Sequence, residues 1–312
     1  MNRPRHPDRR SFLQAAAGTI AASGLSTVPV GRARAAPAKT GRFKKAVKYG
    51  MVKTDGSMLE KFKLLKSLGF DGVELNSPNS LSRDDVLRAR DASGLAVHGV
   101  VYSINWSAPF SKVAPLSSPD AGVRKKAVAA LETALADSKA YGGSSVLVVP
   151  GKVTKEESYD QVYQRSREAI GQAVEAAEKL DIHILIENVW NNFLLSPLEA
   201  ADYVDAFGSR KVGWYFDVGN VVRYGWPEQW IRILGRRIKK LDIKEYSRDK
   251  QFNEGTGKGF GVKLLEGDCD WPTVMAELGK IDFDGWGTAE VSGGGEKRLR
   301  DISERMDRIL AS

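Results

Sequence analysis

Several shortages narrow what this chain can be. Cys269 is its single cysteine among 312 residues, so no intrachain disulfide can form and stability must come from a packed core. No stretch reads as a membrane helix: the apolar run over residues 15–30 is rich in Ala and Gly, too weak and too short to span a bilayer. A Gly-rich phosphate loop is missing too. After the first strand-like segment the chain reads Met51-Val52-Lys53-Thr54-Asp55-Gly56, with no GxGxxG or Walker pattern, which weighs against a doubly wound nucleotide-binding sheet. Nor does an arginine-rich cluster suggest a phosphate clamp.

The formal charge of +8 is concentrated at the start of the chain. Asp8-Arg9-Arg10-Ser11-Phe12-Leu13 precedes the weak apolar run, and Ala33-Arg34-Ala35 has the small-x-small form of a processing site. This arrangement resembles a twin-arginine export signal. It predicts a signal peptide over residues 1–35, a linker over 36–42 and a folded domain over 43–312, exported to the periplasm; the alternative is a disordered basic arm. The segment's six Arg and one Asp leave 41 basic and 38 acidic residues behind, a net charge of only +3. A nucleic-acid partner thereby loses its electrostatic basis. No membrane span is expected in the mature protein, and association into a homo-oligomer stays open.

Beyond residue 42, short β-branched segments alternate with longer stretches of helical periodicity. The strand-like segments are 45–51, 72–75, 96–102, 145–150, 183–189, 212–218, 238–246 and 285–291; the helical ones are 57–68, 83–93, 121–141, 158–179, 197–207, 227–234, 271–278 and 296–310. Eight such pairs predict a single (β/α)8 TIM barrel, an architecture of about 250 residues. One connection, residues 247–270, is long and rich in Gly and both charges. It falls where a barrel's functional loops lie, and either covers the pocket or is a plain surface insertion.

Four acids end strand-like segments: Glu187 in ILIEN, Asp217 in WYFDVGN, Asp242 in KKLDIKEY and Glu290 in GWGTAEV. Strand alternation gives three of them one parity, with Asp217, Asp242 and Glu187 inward and Phe216, Val218, Leu241, Ile243 and Ile186 outward. Closing the barrel would bring the four acids around one axis, a crowding that a cation makes tolerable. An all-oxygen set prefers hard ions such as Mg²⁺, Mn²⁺ or Ca²⁺ over Zn²⁺. Lys244 or Lys152 would offset the excess negative charge; Lys244 as a plain ion-pair partner is the other reading.

Glu187-Asn188, Phe216-Asp217-Val218-Gly219-Asn220, Lys240-Leu241-Asp242-Ile243-Lys244, Glu266-Gly267-Asp268 with Asp270-Trp271, and Ala289-Glu290 together resemble the xylose-isomerase-like TIM-barrel superfamily of sugar (phosphate) isomerases and epimerases. The resemblance spans residues 43–312. It implies a divalent ion, Mn²⁺, Mg²⁺ or Co²⁺, at Glu187, Asp217 and Glu290, with the two glutamates exchanging protons with a sugar substrate. The family's fourth ligand is commonly a His; this chain has Asp242 there.

Such chemistry needs a base for a carbon-bound proton and a Lewis acid for the developing enediolate. A non-phosphorylated sugar is the expected substrate, given export and the missing phosphate clamp. β-Elimination from a 3-keto-glycoside would use the same proton abstraction, and a carbohydrate-binding barrel without catalysis is a third reading. Further candidates for substrate contact are Glu74, His98, Trp106, Lys152, Trp190, Lys244 and Glu266. For each a structural role competes: a core histidine for His98, an orienting acid for Glu74, packing for the tryptophans.

Overall fold

A computed structural model describes residues 43–106 and 114–312. The expected export signal and linker lie outside the described residues. Eight parallel strands close in sequence order: β1 (Phe43–Lys48), β2 (Gly72–Ser77), β3 (Ala96–Tyr102), β4 (Ser145–Val148), β5 (His183–Glu187), β6 (Val212–Asp217), β7 (Ile238–Ile243) and β8 (Gly285–Ala289), with β8 paired back to β1. The fold is the expected (β/α)8 barrel.

Helices follow the strands: α1 (Met58–Ser67), α2 (Arg83–Ser93), α3 (Ala121–Tyr141), α4 (Tyr159–Leu180), α5 (Pro197–Asp205), α6 (Val218–Val222), α7 (Pro227–Leu234), α8 (Arg248–Glu254), α9 (Trp271–Lys280) and α10 (Glu296–Leu310). Their starts follow from local chemistry. Ser57 and Glu60 form a reciprocal capping box on α1, and Ser196 accepts from Glu199 N ahead of Pro197 on α5. None of the described helices is long and apolar enough to cross a membrane.

Strand alternation sorts the residues into two populations. Outward side chains such as Val47, Val73, Ile186, Phe216 and Leu241 join the helices in one continuous buried layer. The barrel interior holds only a small apolar cluster, Leu147, Leu185 and Tyr215 with Val101 against it. Most of the interior is therefore polar. A register shift between β2 and β3 sets Glu74 opposite Gly99 instead of His98. This extra residue lets both His98 and Val101, three apart, meet inward-facing partners. Gly99 is required by close approach, since a Cβ there would stand 2.9 Å from both Lys240 Nζ and Ser145 Oγ.

Several strands end earlier than the sequence suggests: β1 at Lys48, β4 at Val148, β5 at Glu187, β7 at Ile243 and β8 at Ala289, and residues 49–51 form a 3-10 turn. The long connection carries structure of its own, α8 and a 3-10 turn over Thr256–Phe260.

Candidate functional site

The strand ends bring the four acids together. Ligand atoms of Glu187, Asp217, Asp242 and Glu290 all lie within 4.8 Å of one another. Register explains the proximity: Asp217 pairs with Asp242 across β6 and β7, Asp242 pairs with Thr288 across β7 and β8, and Glu290 N donates to Ile243 O just beyond β8. Glu187, Asp217 and Asp242 are buried, whereas the Glu290 side chain is 37% exposed and faces the mouth.

Neighbouring loops hold these ends in place. Asp217 caps α6, its Oδ1 accepting from Asn220 N at 2.9 Å. Asn188 Nδ2 donates to Asp217 O and its Oδ1 accepts from Asp217 N and Trp214 Nε1, while Asn220 Nδ2 donates back to Asn188 O. The β5 and β6 ends are thus tied as one unit, and Asp217 has no freedom to swing out.

Two ammonium groups enter the cluster. Lys244 Nζ stands 2.7 Å from both Asp217 Oδ2 and Glu290 Oε2, an ion-paired position that fits both readings of this residue. Lys48, which the sequence did not single out, ends β1 beside Glu74; its Nζ is 2.7 Å from Glu74 Oε2 and 3.0 Å from Asp242 Oδ1. Its one sequence signal is a polar side chain of inward parity, masked because the strand-like segment reads on to Met51.

Five carboxylates thus face two ammonium groups. Burial, then Glu290 and Asp217, push Glu187 well above the usual carboxylate range, and burial pushes Asp217 up to about 6 against the pull of Lys244. Asp242 is raised by burial despite Lys48. Glu290 goes the other way: burial raises it, but Lys244 and Lys48 outweigh that and hold it below the usual range. Asp242 Oδ1 and Oδ2, Asp217 Oδ2 and Glu290 Oε2 are buried without an aligned hydrogen-bond donor, even where an ammonium stands close. Lys244 and Lys48 neutralise three of these oxygens, whereas Asp242 Oδ2 has neither donor nor ammonium and is costly to bury unless a cation satisfies it. Hard oxygen donors converging at this spacing fit a divalent ion.

Below the cluster runs a polar chain. Lys240 Nζ lies 3.0 Å from His98 Nδ1, His98 Nε2 is 3.1 Å from Thr288 Oγ1, Thr288 Oγ1 is 2.8 Å from Tyr215 OH, and Tyr215 OH donates to Glu74 Oε2 at 3.3 Å. The structure therefore places His98 with both ring nitrogens engaged, stacked on Trp286 at 4.6 Å, and Glu74 against Lys48.

Of the other sequence candidates, Trp190 lies at the site's edge, its Nε1 donating to Asn220 O at 2.9 Å and its ring 4.7 Å from Phe260. Phe260 comes from the long connection and lies 5.4 Å from Lys244 Nζ, so that loop does reach the pocket. Glu266 turns away and pairs with Arg305 at 2.9 Å. Lys152 is exposed beyond β4. Trp106 closes a 3-10 turn after β3, and its side chain is outside the described residues.

Comparison with known proteins agrees with the fold. The profile of the xylose isomerase-like TIM barrel family matches residues 62–310. Among solved structures, a D-tagatose 3-epimerase-like protein is 22% identical, with a TM-score of 0.70 over 86% of this chain and 97% of its own. A 3-keto-D-glucoside 4-epimerase from E. coli is 14% identical, with a TM-score of 0.71 over 86% of this chain and 100% of its own. An L-ribulose 3-epimerase is 15% identical, with a TM-score of 0.70 over 86% and 94%. No curated protein matches the chain.

Proposed function

We propose that this chain, which belongs to the xylose isomerase-like TIM barrel family, is a divalent-metal-dependent sugar isomerase or epimerase that moves a proton next to a carbonyl through an enediolate. The observation that carries the reading is the convergence of four acids at the C-terminal mouth, with Asp242 Oδ2 buried among them and unpartnered. Glu187, Asp217, Asp242 and Glu290 would hold the ion, Mn²⁺ or Mg²⁺ in first place and Co²⁺ in second. When bound, it supplies a Lewis acid for the substrate's oxygens.

The chain's own residues do the rest. Glu187 and Glu290, from β5 and the end of β8, take and return the carbon-bound proton. Lys244, between Asp217 and Glu290, keeps the latter carboxylate charged and oriented. Trp190 and Phe260 form an apolar wall beside Lys244 on which a sugar ring can stack. The solved barrels named for ketohexose and ketopentose epimerisation support a non-phosphorylated sugar as substrate. Export through the twin-arginine signal belongs to the same proposal.

A second reading has one specific support, the likeness to a barrel named for a 3-keto-D-glucoside. There the same proton abstraction would be followed by β-elimination of the C1 substituent. Incubating the Mn²⁺-loaded protein with free ketoses and with 3-keto-glycosides separates the two. An isomeric sugar is the expected product; a released aglycone selects the lyase, and no turnover of either class rejects both.

A further inference from the structure

Lys48 holds a position that the metal-site reading leaves unexplained, and this inference rests on that reading. Its ammonium stands between two buried acids, 2.7 Å from Glu74 Oε2 and 3.0 Å from Asp242 Oδ1, and 4.9 Å above the Tyr215 ring. It is not free to leave. Glu74 is itself fixed from below, because Lys240, His98, Thr288 and Tyr215 form a chain whose last donor, the Tyr215 hydroxyl, points at Glu74 Oε2. Every neighbour in that chain is buried, so the ammonium is held by a packed polar column and not by a flexible surface pair.

The consequence falls on Asp242. Lys244 forms its ion pairs only with acids of the ligand set and can shift as an ion enters, but Lys48 is anchored by Glu74, outside that set, so at 3.0 Å it leaves Asp242 Oδ1 a poor ligand for a second cation. Its partner Oδ2 is fully buried and has no hydrogen-bond partner. Six-coordinate ions such as Mn²⁺ and Mg²⁺ are served by a single oxygen from each acid, whereas Ca²⁺ takes six to eight oxygens and gains from carboxylates that chelate with both.

We propose that Lys48, braced by Glu74, is a positioning residue that restricts Asp242 to one oxygen and thereby selects small six-coordinate ions over Ca²⁺. A general charge effect predicts something different. A cation removed from the cluster would strengthen binding of every divalent ion alike, whereas freeing one oxygen strengthens Ca²⁺ binding more.

The test is a binding cycle on metal-free protein, titrated with MnCl₂ and with CaCl₂ and followed by calorimetry. Lys48→Met alone leaves Glu74 buried and unpaired, so the variant to use is Lys48→Met/Glu74→Gln, which removes both charges together. Its Ca²⁺-to-Mn²⁺ affinity ratio should rise about tenfold, since the second oxygen becomes available to the larger ion. Added to Asp242→Asn, whose amide cannot chelate through two oxygens, the same pair of changes should leave the ratio unchanged. An unchanged ratio in the first variant overturns the inference, as does an equal rise in the Asp242→Asn background. If the wild-type protein itself takes up neither ion, the metal-site reading fails and takes this inference with it. Wild-type binding with unaltered ratios defeats the inference alone.

Discussion

Lys240 and His98 meet inside the barrel, Nζ to Nδ1 at 3.0 Å, and the contact dictates the state of the imidazole. Burial brings Lys240 down to about 7, so on the acid side of neutrality it is an ammonium that can only donate; Nδ1 then accepts and the ring proton sits on Nε2, which donates to Thr288. Lys240 also donates to His98 O at 2.6 Å, which locks the pair across β3 and β7. A ring placed this way gains nothing by protonation. Burial first, then Lys240 and Lys48, hold His98 well below the usual histidine range.

Acid should therefore destabilise the protein through His98. Its folded pKa is depressed, so below about 6.5 the unfolded chain binds a proton that the folded one refuses, and stability falls with pH by up to roughly 1.4 kcal/mol per unit. Asp217, Glu187 and Asp242 oppose this, because their raised values make the folded state the better proton binder below neutrality. Comparing denaturation of wild type and His98→Gln between pH 7 and 5 isolates the histidine. The variant should have the shallower fall; identical slopes would mean that His98 is not held neutral.

Glu187→Gln and Glu290→Gln should each cost on the order of 10² to 10⁴ in turnover, the usual worth of a positioned acid or base. The amide keeps shape and an oxygen ligand, so a folded, metal-binding, inactive protein is the expected outcome for each. Wild-type rates in both variants would make these acids structural and remove the centre of the isomerase reading.

Export makes a separate prediction. With Arg9 and Arg10 replaced by Lys, the precursor should accumulate in the cytoplasm and cleavage after Ala35 should stop. Mature protein appearing outside at the normal level would assign the segment to the general secretory route.

Much of this molecule could be read from period and parity. Alternating strand-like and helical stretches predict the barrel, and the inward parity of Glu187, Asp217 and Asp242 places three of the cluster's acids. What escaped reading depends on registers between distant strands. Lys48 looked like one more lysine in a basic stretch until β1 set it beside Glu74 and opposite Asp242. Tyr215 and Thr288 read as ordinary strand residues, yet they join His98 to Glu74. The β3 bulge is invisible in the sequence because an extra residue shifts parity without changing composition. Glu266 misled in the opposite sense: its loop position suggested the pocket, but Arg305 on α10 draws it away.

Glu245 carries the last prediction, since it organises the long connection without touching the acid cluster. Its carboxylate, 1% exposed, accepts from Leu265 N at 2.7 Å, Trp271 Nε1 at 2.9 Å and Cys269 N at 3.2 Å. Two backbone donors of the loop and the indole that opens α9 thus converge on one acid just beyond β7. Gly267 is packed so tightly against it that a Cβ there would lie 2.8 Å from Oε1. Glu245→Ala strands these donors in a buried place, where each unsatisfied group costs about 1–3 kcal/mol, so a loss on the order of 3 kcal/mol is expected. Because the same connection carries Phe260 to Lys244, loosening it should also raise KM more than it lowers kcat. Limited proteolysis gives the direct readout, with cleavage between residues 247 and 270 accelerating in the variant. Equal cleavage rates and an unchanged melting point would show that the loop is held by its other contacts, among them Arg248 N to Asp268 and the Tyr246 hydroxyl to Thr256 O.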